Sequence, residues 1–283
     1  MKSNCKRRYC VIGTPVAHSR SPELFARIFE ERGLTGECSY VINEIKTPEE
    51  LKEFVGDMRS GKWDGCNVTM PWKTAVMPFM DECSDISKLT SAVNTIKRRS
   101  DGSLYGTSTD GAGLLWAIDR VCLQAGIKAS LQNVVILGAG GAARSVIAAF
   151  LNETDACCHI VCRDGQNKSF AEEIARKAVI SANQRYDFTD FGDEQAVRSL
   201  ISGADTVINC TPLGMVPMEG EIPVPEETFF KAGAVVVDAV YNPENTLFLQ
   251  LACEQKCICV PGRMMLEGQA IVAADVLLSD AGK

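Results

Sequence analysis

The sequence predicts an α/β fold with two domains, of which the N-terminal one has a mostly parallel sheet. The 283 residues are too many for one small core and suit two domains. Hydrophobic residues make up 46% and charged residues 23%, as in ordinary globular proteins, which argues against extended disorder. Strand and helix patterns alternate along the chain, and such alternation indicates parallel strands with helices outside them.

The N-terminal domain begins with this alternation. Short apolar runs predict strands at residues 9–13, 38–45 and 64–69. Apolar residues three and four positions apart predict a helix over 22–32 that stops at Gly33. The run Thr47-Pro48-Glu49-Glu50 is a capping box with proline at the first helical position, so it predicts a second helix that extends to about Met58.

A second alternation starts at residue 133. Apolar runs predict strands at residues 133–137, 159–163, 206–210, 234–240 and 257–260. The helix after the first of these carries one apolar face, formed by Val146, Ile147, Phe150 and Leu151. The run Ser169-Phe170-Ala171-Glu172 predicts a capping box that opens the next helix.

The helix at 111–125 is expected to join the two domains. We therefore expect a first domain of residues 1–110, completed by a C-terminal helix of about 264–283 that packs back on it. The second domain is expected to span residues 111–263. No internal repeat interrupts this plan.

A glycine-rich turn, Gly138-Ala139-Gly140-Gly141-Ala142-Ala143, follows the first strand of the second domain. In turns of this type the first glycine permits the tight bend, the second lets the backbone approach a pyrophosphate, and the small third residue lets helix and strand pack closely. An ordinary structural turn is the alternative. The position between a strand and a helix favours a Rossmann-type domain that binds a dinucleotide.

Cofactor choice depends on the residue after the second strand of that domain. An acidic residue there suits the ribose 2′-hydroxyl of NAD, whereas arginine suits the 2′-phosphate of NADP. The sequence has Arg163 followed by Asp164, so the two signals conflict. Because Arg163 ends the strand, we expect NADP, with NAD possible; Arg163 as a plain surface charge is the alternative.

Charge and cysteine usage exclude several classes of protein. The net charge of −7 disfavours a nucleic-acid binder, since neutralising phosphates needs a basic surface. No apolar stretch is long enough for a membrane helix and no signal peptide is apparent, so a cytoplasmic protein is expected. The 13 cysteines are odd in number and contain no CxxC pair, which predicts reduced thiols and no metal site. Monomer and homodimer both remain open.

Seven polar motifs follow one another in order along nearly the whole chain. They occupy residues 13–22, 67–73, 92–95, 108–111, 209–215, 238–243 and 262–269. Together they resemble those of the shikimate dehydrogenase family. The resemblance implies reversible, NADP-dependent reduction of 3-dehydroshikimate to shikimate in aromatic amino acid (chorismate) biosynthesis.

The resemblance also implies a role for individual residues. Ser19 and Ser21 would bind the substrate carboxylate, and Lys73 and Asp110 would be catalytic. Further substrate-binding residues would be Asn67, Thr69, Asn94, Tyr241 and Gln269. The cofactor-binding residues would be Gly138, Ala139, Gly140, Gly141, Ala142, Ala143, Arg163, Asp164, Thr211 and Gly262.

The chemistry of such a reaction requires a proton donor. Hydride delivery to a ketone leaves an alkoxide, so an acid must lie within hydrogen-bond reach of that oxygen. A lysine can donate the proton, and a neighbouring carboxylate can orient the ammonium and stabilise its charge. Ser19, Ser21 and Asn94 could alternatively cap turns or helices, and Ser21 before Pro22 is also expected to be a helix N-cap.

Three departures from the family pattern bear on specificity. Ser108 stands where the family usually has asparagine, and Ser91 stands where it has glycine. Many NADP-using members continue Asn-Arg-Thr after the second strand, whereas this chain has Cys162-Arg163-Asp164 and a longer loop. That loop resembles the branch that accepts quinate as well as shikimate and uses NAD readily.

Two other kinds of protein share parts of this plan. A non-catalytic nucleotide sensor on the same fold would not need Lys73 and Asp110. A dehydrogenase of the methylenetetrahydrofolate type has the same two-domain plan but would not need the pair Ser19 and Ser21.

Overall fold

The computed structural model describes residues 7–178 and 185–279. The chain divides into two compact units, a first unit of Met1–Thr109 with Gln269–Lys283 and a second unit of Asp110–Gly268. Residues 1–6 and 280–283, which the predicted first domain includes, lie outside the described residues.

The first unit is built on a mixed six-stranded sheet. Its strands are β1 (Arg7–Gly13), β2 (Cys38–Glu44), β3 (Gly65–Val68), β4 (Glu82–Cys83), β5 (Thr95–Arg98) and β6 (Leu104–Thr107). Its helices are α1 (Ser21–Glu31), α2 (Pro48–Arg59), α3 (Trp72–Ala75) and α4 (Asp85–Thr90), with a 3₁₀ turn at Met77–Phe79. The strand order is β2-β1-β3-β5-β6-β4. β1 pairs in parallel with β2 and β3, as β4 does with β6, whereas β5 runs antiparallel to β3 and β6.

Both faces of this sheet are buried at β1. Cys10 and Ile12 face the cluster beneath α2, and Tyr9 faces the opposite side. The cluster around Tyr9 includes Phe25, Phe29, Ala273, Ala274 and Leu277. Successive strand residues point to opposite faces, and burying each large apolar side chain contributes about 1.5–3 kcal/mol.

The second unit is built on an all-parallel sheet. Its strands are β7 (Asn133–Leu137), β8 (Cys157–Cys162), β9 (Arg185–Asp190), β10 (Thr206–Asn209), β11 (Val235–Asp238) and β12 (Ile258–Val260). Its helices are α5 (Asp110–Gln124), α6 (Gly141–Glu153), α7 (Gln166–Ala178), α8 (Glu194–Gly203) and α9 (Leu247–Glu254), and α10 (Gly262–Leu278) begins in it. The strand order β12-β11-β10-β7-β8-β9 is that of a Rossmann-type sheet, which confirms the predicted fold class.

The first predicted capping box is confirmed and the second is wrong. The Thr47 hydroxyl accepts a hydrogen bond from the Glu50 amide at 3.2 Å, and the Glu50 carboxylate accepts one from the Thr47 amide at 3.3 Å. Helix α7 already begins at Gln166, so Ser169 lies inside its first turn, where its amide donates to the Gly165 carbonyl. The glycine at 165 has a φ of +133°, a backbone conformation that ends the preceding loop.

The expectation that all cysteines are reduced is wrong for one pair. Cys253 in α9 and Cys259 in β12 form a disulfide, with their Cα atoms 6.3 Å apart. Within residues 7–178 and 185–279, no group of three or more His, Cys, Asp and Glu side chains is placed to hold a metal ion. Over the same ranges, no helix has the length and apolar character needed to cross a membrane.

Candidate active site

In the first unit, two of the polar motifs meet because Gly13 has no side chain. β1 ends at Gly13 and the neighbouring β3 ends at Val68, so the segments that follow both strands leave the same edge of the sheet. A Cβ at Gly13 would collide with the Thr69 methyl group and lie 2.9 Å from the Met70 carbonyl oxygen. The Thr14 amide donates to that carbonyl at 3.0 Å.

Ser19 and Ser21 lie together at the start of α1. The Ser19 hydroxyl donates to the Ser21 hydroxyl at 3.1 Å and accepts from the Ser21 amide at 3.3 Å. The expectation that Ser21 is the N-cap is wrong, because α1 begins at Ser21 and Arg20 precedes it without a side-chain cap. Ser19 instead satisfies an amide of the first turn. The two hydroxyls are close enough to address one carboxylate group.

Asn67 is oriented by three neighbours. Its side-chain oxygen accepts from the Tyr40 hydroxyl at 2.7 Å, and its amide nitrogen donates to the Thr95 hydroxyl at 3.0 Å and to the Asn94 carbonyl at 3.3 Å. Both amide hydrogens are therefore used within the protein. A ligand would meet the Asn67 side chain as a hydrogen-bond acceptor.

Tyr40, which donates to the Asn67 side chain, is itself held in place. Its ring stacks on Phe25 with centroids 4.1 Å apart and an interplanar angle of 15°. Burial raises the pKa of the Tyr40 hydroxyl well above its usual range, and a hydrogen bond with Ser21 opposes that shift. The hydroxyl therefore remains protonated and available as a donor to Asn67 at neutral pH.

Asn94 is almost fully buried, and its side-chain oxygen faces Thr95 and Thr109. That oxygen accepts from the Thr109 amide at 2.9 Å and from the Thr95 hydroxyl at 3.0 Å, and the Thr109 hydroxyl lies 3.2 Å away. The Thr109 hydroxyl also lies 3.5 Å from the backbone carbonyl of Gln269. Buried hydroxyls and amides of the first unit thus connect Asn67, Asn94 and Gln269.

Lys73 is held through its backbone. It is the second residue of α3, after Trp72, whose buried indole donates to the Ile45 carbonyl at 2.8 Å. The Lys73 carbonyl accepts from the Val93 amide at 2.8 Å. The hydrogen bonds of the Trp72 indole and the Lys73 carbonyl therefore fix α3 in place, and the Lys73 side chain is half-buried.

Asp110 is the first residue of α5 and belongs to the second unit, where it is 4% exposed. The next residue, Gly111, packs directly against α6. A Cβ at Gly111 would lie 2.5 Å from the Ser145 carbonyl oxygen and would collide with Ala149. Close packing of α5 on α6 thus sets the position of the Asp110 backbone.

The glycine-rich turn has the shape that a dinucleotide needs. Gly138 has a φ of +108°, which favours glycine, and a Cβ there would lie 3.2–3.3 Å from Thr211 and Cys210. By contrast, a Cβ at Gly140 would meet nothing within 4 Å, so a ligand can approach the backbone where α6 begins. Ala143 is fully buried, as close packing of helix and strand requires.

Beyond β8, Arg163 and Asp164 are both exposed. The Asp164 carboxylate pairs with the Lys168 ammonium at 2.7 Å, one turn along the chain. This hydrogen bond raises the pKa of Lys168. The acidic residue next to Arg163 therefore has a cation beside it.

Three further cofactor or substrate candidates follow β10, β11 and β12, the three strands on one side of β7. Thr211 lies just after β10, and Tyr241 lies after β11 with 56% of its side chain exposed. Gly262 opens α10, and a Cβ there would collide with the Val240 carbonyl. The glycine lets α10 begin directly against the segment after β11.

Residues 11–96 match the profile of the shikimate dehydrogenase substrate binding domain. The shikimate dehydrogenase (NADP(+)) of Symbiobacterium thermophilum is 35% identical over 264 residues, which cover 93% of this chain and 86% of that protein. The chain belongs to the shikimate dehydrogenase family.

Solved structures agree with this family assignment. Shikimate 5-dehydrogenase from Listeria monocytogenes, in complex with shikimate and NAD, has a TM-score of 0.84 and 30% identity, covering 96% of this chain and 91% of that one. The enzyme from Thermus thermophilus, in complex with NADP(H) and shikimate, has a TM-score of 0.75 and 29% identity, covering 96% and 93%.

Two departures from the shikimate dehydrogenase pattern have visible structural effects. Ser91 ends α4 with a φ of +53°, in the left-handed region that glycine adopts most easily. Ser108 is buried, and its hydroxyl has no hydrogen-bond partner in the described part of the chain. Burying an unpaired hydroxyl costs free energy, so this position differs chemically from one that holds the family's asparagine.

Sequence reasoning did not find Tyr40, Thr95 or Lys168. Tyr40 lies in a strand, where nothing in the pattern separates it from core residues. Thr95 ends the polar motif at 92–95, but that motif gave it no role. Asp164 lies two residues before α7 begins, so its pair with Lys168 depends on the turn that leads into the helix.

We expect Gly138→Ala to lower the midpoint of thermal unfolding and Gly140→Ala to leave it nearly unchanged. A side chain at a φ of +108° costs about 1–2 kcal/mol, whereas Gly140 has a φ of −71° and open space around it. Thermal unfolding of both variants followed by circular dichroism measures the difference. Equal midpoints for the two variants would contradict the role given to Gly138.

Proposed function

We propose that this chain catalyses the reversible, NADP-dependent reduction of 3-dehydroshikimate to shikimate in aromatic amino acid biosynthesis. The observation that carries the proposal is the 35% identity to a shikimate dehydrogenase (NADP(+)) over 93% of the chain. The hydrogen-bonded polar cluster of the first unit and the open glycine turn of the second support it.

The first unit supplies groups suited to a hydroxylated ring acid. The hydroxyls of Ser19 and Ser21 would bind the carboxylate, and hydrogen bonds to a charged group are worth about 1.5–3 kcal/mol each. Asn67, Thr69, Asn94 and Gln269 would bind ring hydroxyls, with Tyr241 nearby. Since Asn67 can only accept, it would select a hydroxyl that donates.

We propose Lys73 and Asp110 as the catalytic residues. NADPH, when bound, supplies the hydride that reduces the ketone carbon. The Lys73 ammonium donates a proton to the oxygen, which becomes the hydroxyl of the product. The Asp110 carboxylate would stabilise the positive charge of the ammonium. In the reverse direction the neutral Lys73 amine would accept the proton of the substrate hydroxyl.

The second unit would hold the dinucleotide. The pyrophosphate would lie against residues 138–143, where Gly140 leaves the backbone open. Arg163 would bind the 2′-phosphate, and Thr211 and Gly262 would border the nicotinamide half. The ion pair with Lys168 would offset part of the repulsion that Asp164 would exert on that phosphate.

A second candidate is a quinate/shikimate dehydrogenase that uses NAD or both cofactors. Asp164 after β8 favours it, because a carboxylate there can accept a hydrogen bond from the free 2′-hydroxyl of NAD. One structurally similar shikimate 5-dehydrogenase is in complex with shikimate and NAD.

Steady-state kinetics with shikimate and quinate, each with NADP+ and NAD+, test the proposal. We expect the highest kcat/KM for shikimate with NADP+. A higher kcat/KM for quinate, or for NAD+, would favour the second candidate. No turnover with either acid would contradict both and leave a nucleotide sensor.

We expect Lys73→Ala to lower kcat by about 10²–10⁴-fold, the usual contribution of general acid–base catalysis. The KM for shikimate should change little, because other side chains bind the carboxylate and hydroxyls. Lys52→Ala, at an exposed lysine of α2, is the control. A Lys73→Ala enzyme with most of its turnover would remove Lys73 from the mechanism.

We expect Arg163→Ala to reduce kcat/KM with NADP+ by about 10- to 150-fold, the equivalent of one charge-assisted contact. Its kcat/KM with NAD+ should change little. Asp164→Ala should sharpen the preference for NADP+, since it removes a negative charge and releases Lys168. If Asp164→Ala instead damages the use of NAD+ specifically, Asp164 is the ribose ligand and NAD the cofactor.

A further inference from the structure

The second unit contains a buried carboxylate that the proposed chemistry does not use. Asp238 is the last residue of β11 and has no exposed surface. Its side chain accepts three hydrogen bonds, from the Asn209 amide at 2.9 Å, the Val240 backbone amide at 3.0 Å and the Thr246 hydroxyl at 2.6 Å. Burial raises the pKa of Asp238, and these three donors oppose the shift.

One of these donors connects Asp238 to the glycine turn. The side-chain oxygen of Asn209 accepts from both the amide and the hydroxyl of Thr211, at 2.9 and 2.7 Å. Its nitrogen donates to Asp238 and to the Leu213 carbonyl at 3.2 Å. Every polar site of the Asn209 amide is thus occupied, so its orientation is set by Asp238.

Thr211 in turn lies against the first glycine of the turn. Its methyl group is 3.2 Å from the point where a Gly138 Cβ would be. The Leu213 amide donates to the Thr211 hydroxyl at 3.2 Å, which closes the loop after β10 on itself. This loop is therefore held beside Gly138 by a connected set of buried hydrogen bonds.

The other two donors tie down the segment after β11. The Val240 amide is held by Asp238, and the Val240 carbonyl is the group against which Gly262 packs. The Thr246 hydroxyl donates to Asp238 and accepts from the Leu249 amide at 3.3 Å, so it also caps α9. One carboxylate therefore connects Thr211, the residues before Tyr241, and α9.

We propose that Asp238 is a positioning residue for the nucleotide cofactor, acting through Asn209 and Thr211 on the loop beside Gly138. This inference rests on the proposed function, because it takes that loop as part of the NADP site. A carboxylate is needed since only a group that accepts at both oxygens can receive all three donors. An amide in its place turns a donor toward one of them and loosens the loop.

The test measures binding of NADP+ alone and of shikimate alone by isothermal titration calorimetry. We expect Asp238→Asn to raise the Kd for NADP+ by about tenfold, the equivalent of one lost hydrogen bond. The Kd for shikimate should stay unchanged. A carboxylate with only a structural role would lower stability without separating the two ligands.

Asp205→Asn is the matched control. Asp205 precedes β10 at the opposite end of the same sheet, where it pairs with Lys231 at 2.7 Å and accepts from the Asn133 amide at 3.2 Å. Its loss should lower the midpoint of thermal unfolding but leave the Kd for NADP+ unchanged. Thr211→Val should raise that Kd, and the double variant with Asp238→Asn should raise it by less than the product of the two effects, since both act through Asn209.

An Asp238→Asn protein that binds NADP+ as tightly as the wild type, or that loses affinity for both ligands equally, would overturn the inference. Should this variant fail to fold, Thr246→Val takes its place, because it withdraws one donor from the same carboxylate. The same direction is expected, and an unchanged Kd would again overturn the inference. A wild-type protein that binds NADP+ without turnover contradicts the proposed function alone, whereas one that does not bind NADP+ overturns both.

Discussion

Parallel pairing of β-strands is the constraint on which both units depend. Strands that run in the same direction end at the same edge, so the segments that follow them converge there. β1 and β3 bring Gly13 and Thr14 to Thr69 and Met70 in this way. β7 and β10 likewise bring Gly138 to Thr211. Glycines at 13 and 262 then permit contacts that a single methyl group would prevent.

Much of the fold could be predicted because its signals are local. The apolar run at 133–137 and the capping box at 47–50 agree with β7 and the start of α2. The run at 169–172 matched the same box but lies within a helix, because a short pattern does not reveal a turn begun three residues earlier. The Cys253–Cys259 disulfide and the stacking of Tyr40 on Phe25 depend on tertiary proximity, which spacing does not encode.

Three asparagine side chains have fixed orientations in the polar clusters. Asn67, Asn94 and Asn209 each have most of their hydrogen-bonding capacity engaged by neighbouring side chains and backbone. An amide engaged in this way cannot rotate to exchange its oxygen for its nitrogen without breaking several bonds. The family resemblance identified Asn67 and Asn94 from the motifs. The residues that orient the three asparagines include Tyr40, Thr95 and Asp238, and no single motif contains all three.

The cluster around Tyr9 is completed only late in the synthesis of the protein on the ribosome. Ala273, Ala274 and Leu277 come from α10, whereas Tyr9, Phe25 and Phe29 come from the opposite end of the chain. On the ribosome, domains generally form in the order in which they emerge. Here most of the second unit leaves the exit tunnel before the end of α10 does, so until then only α1 covers the Tyr9 face of the sheet. During that interval the part of this face that α10 later covers is exposed to solvent.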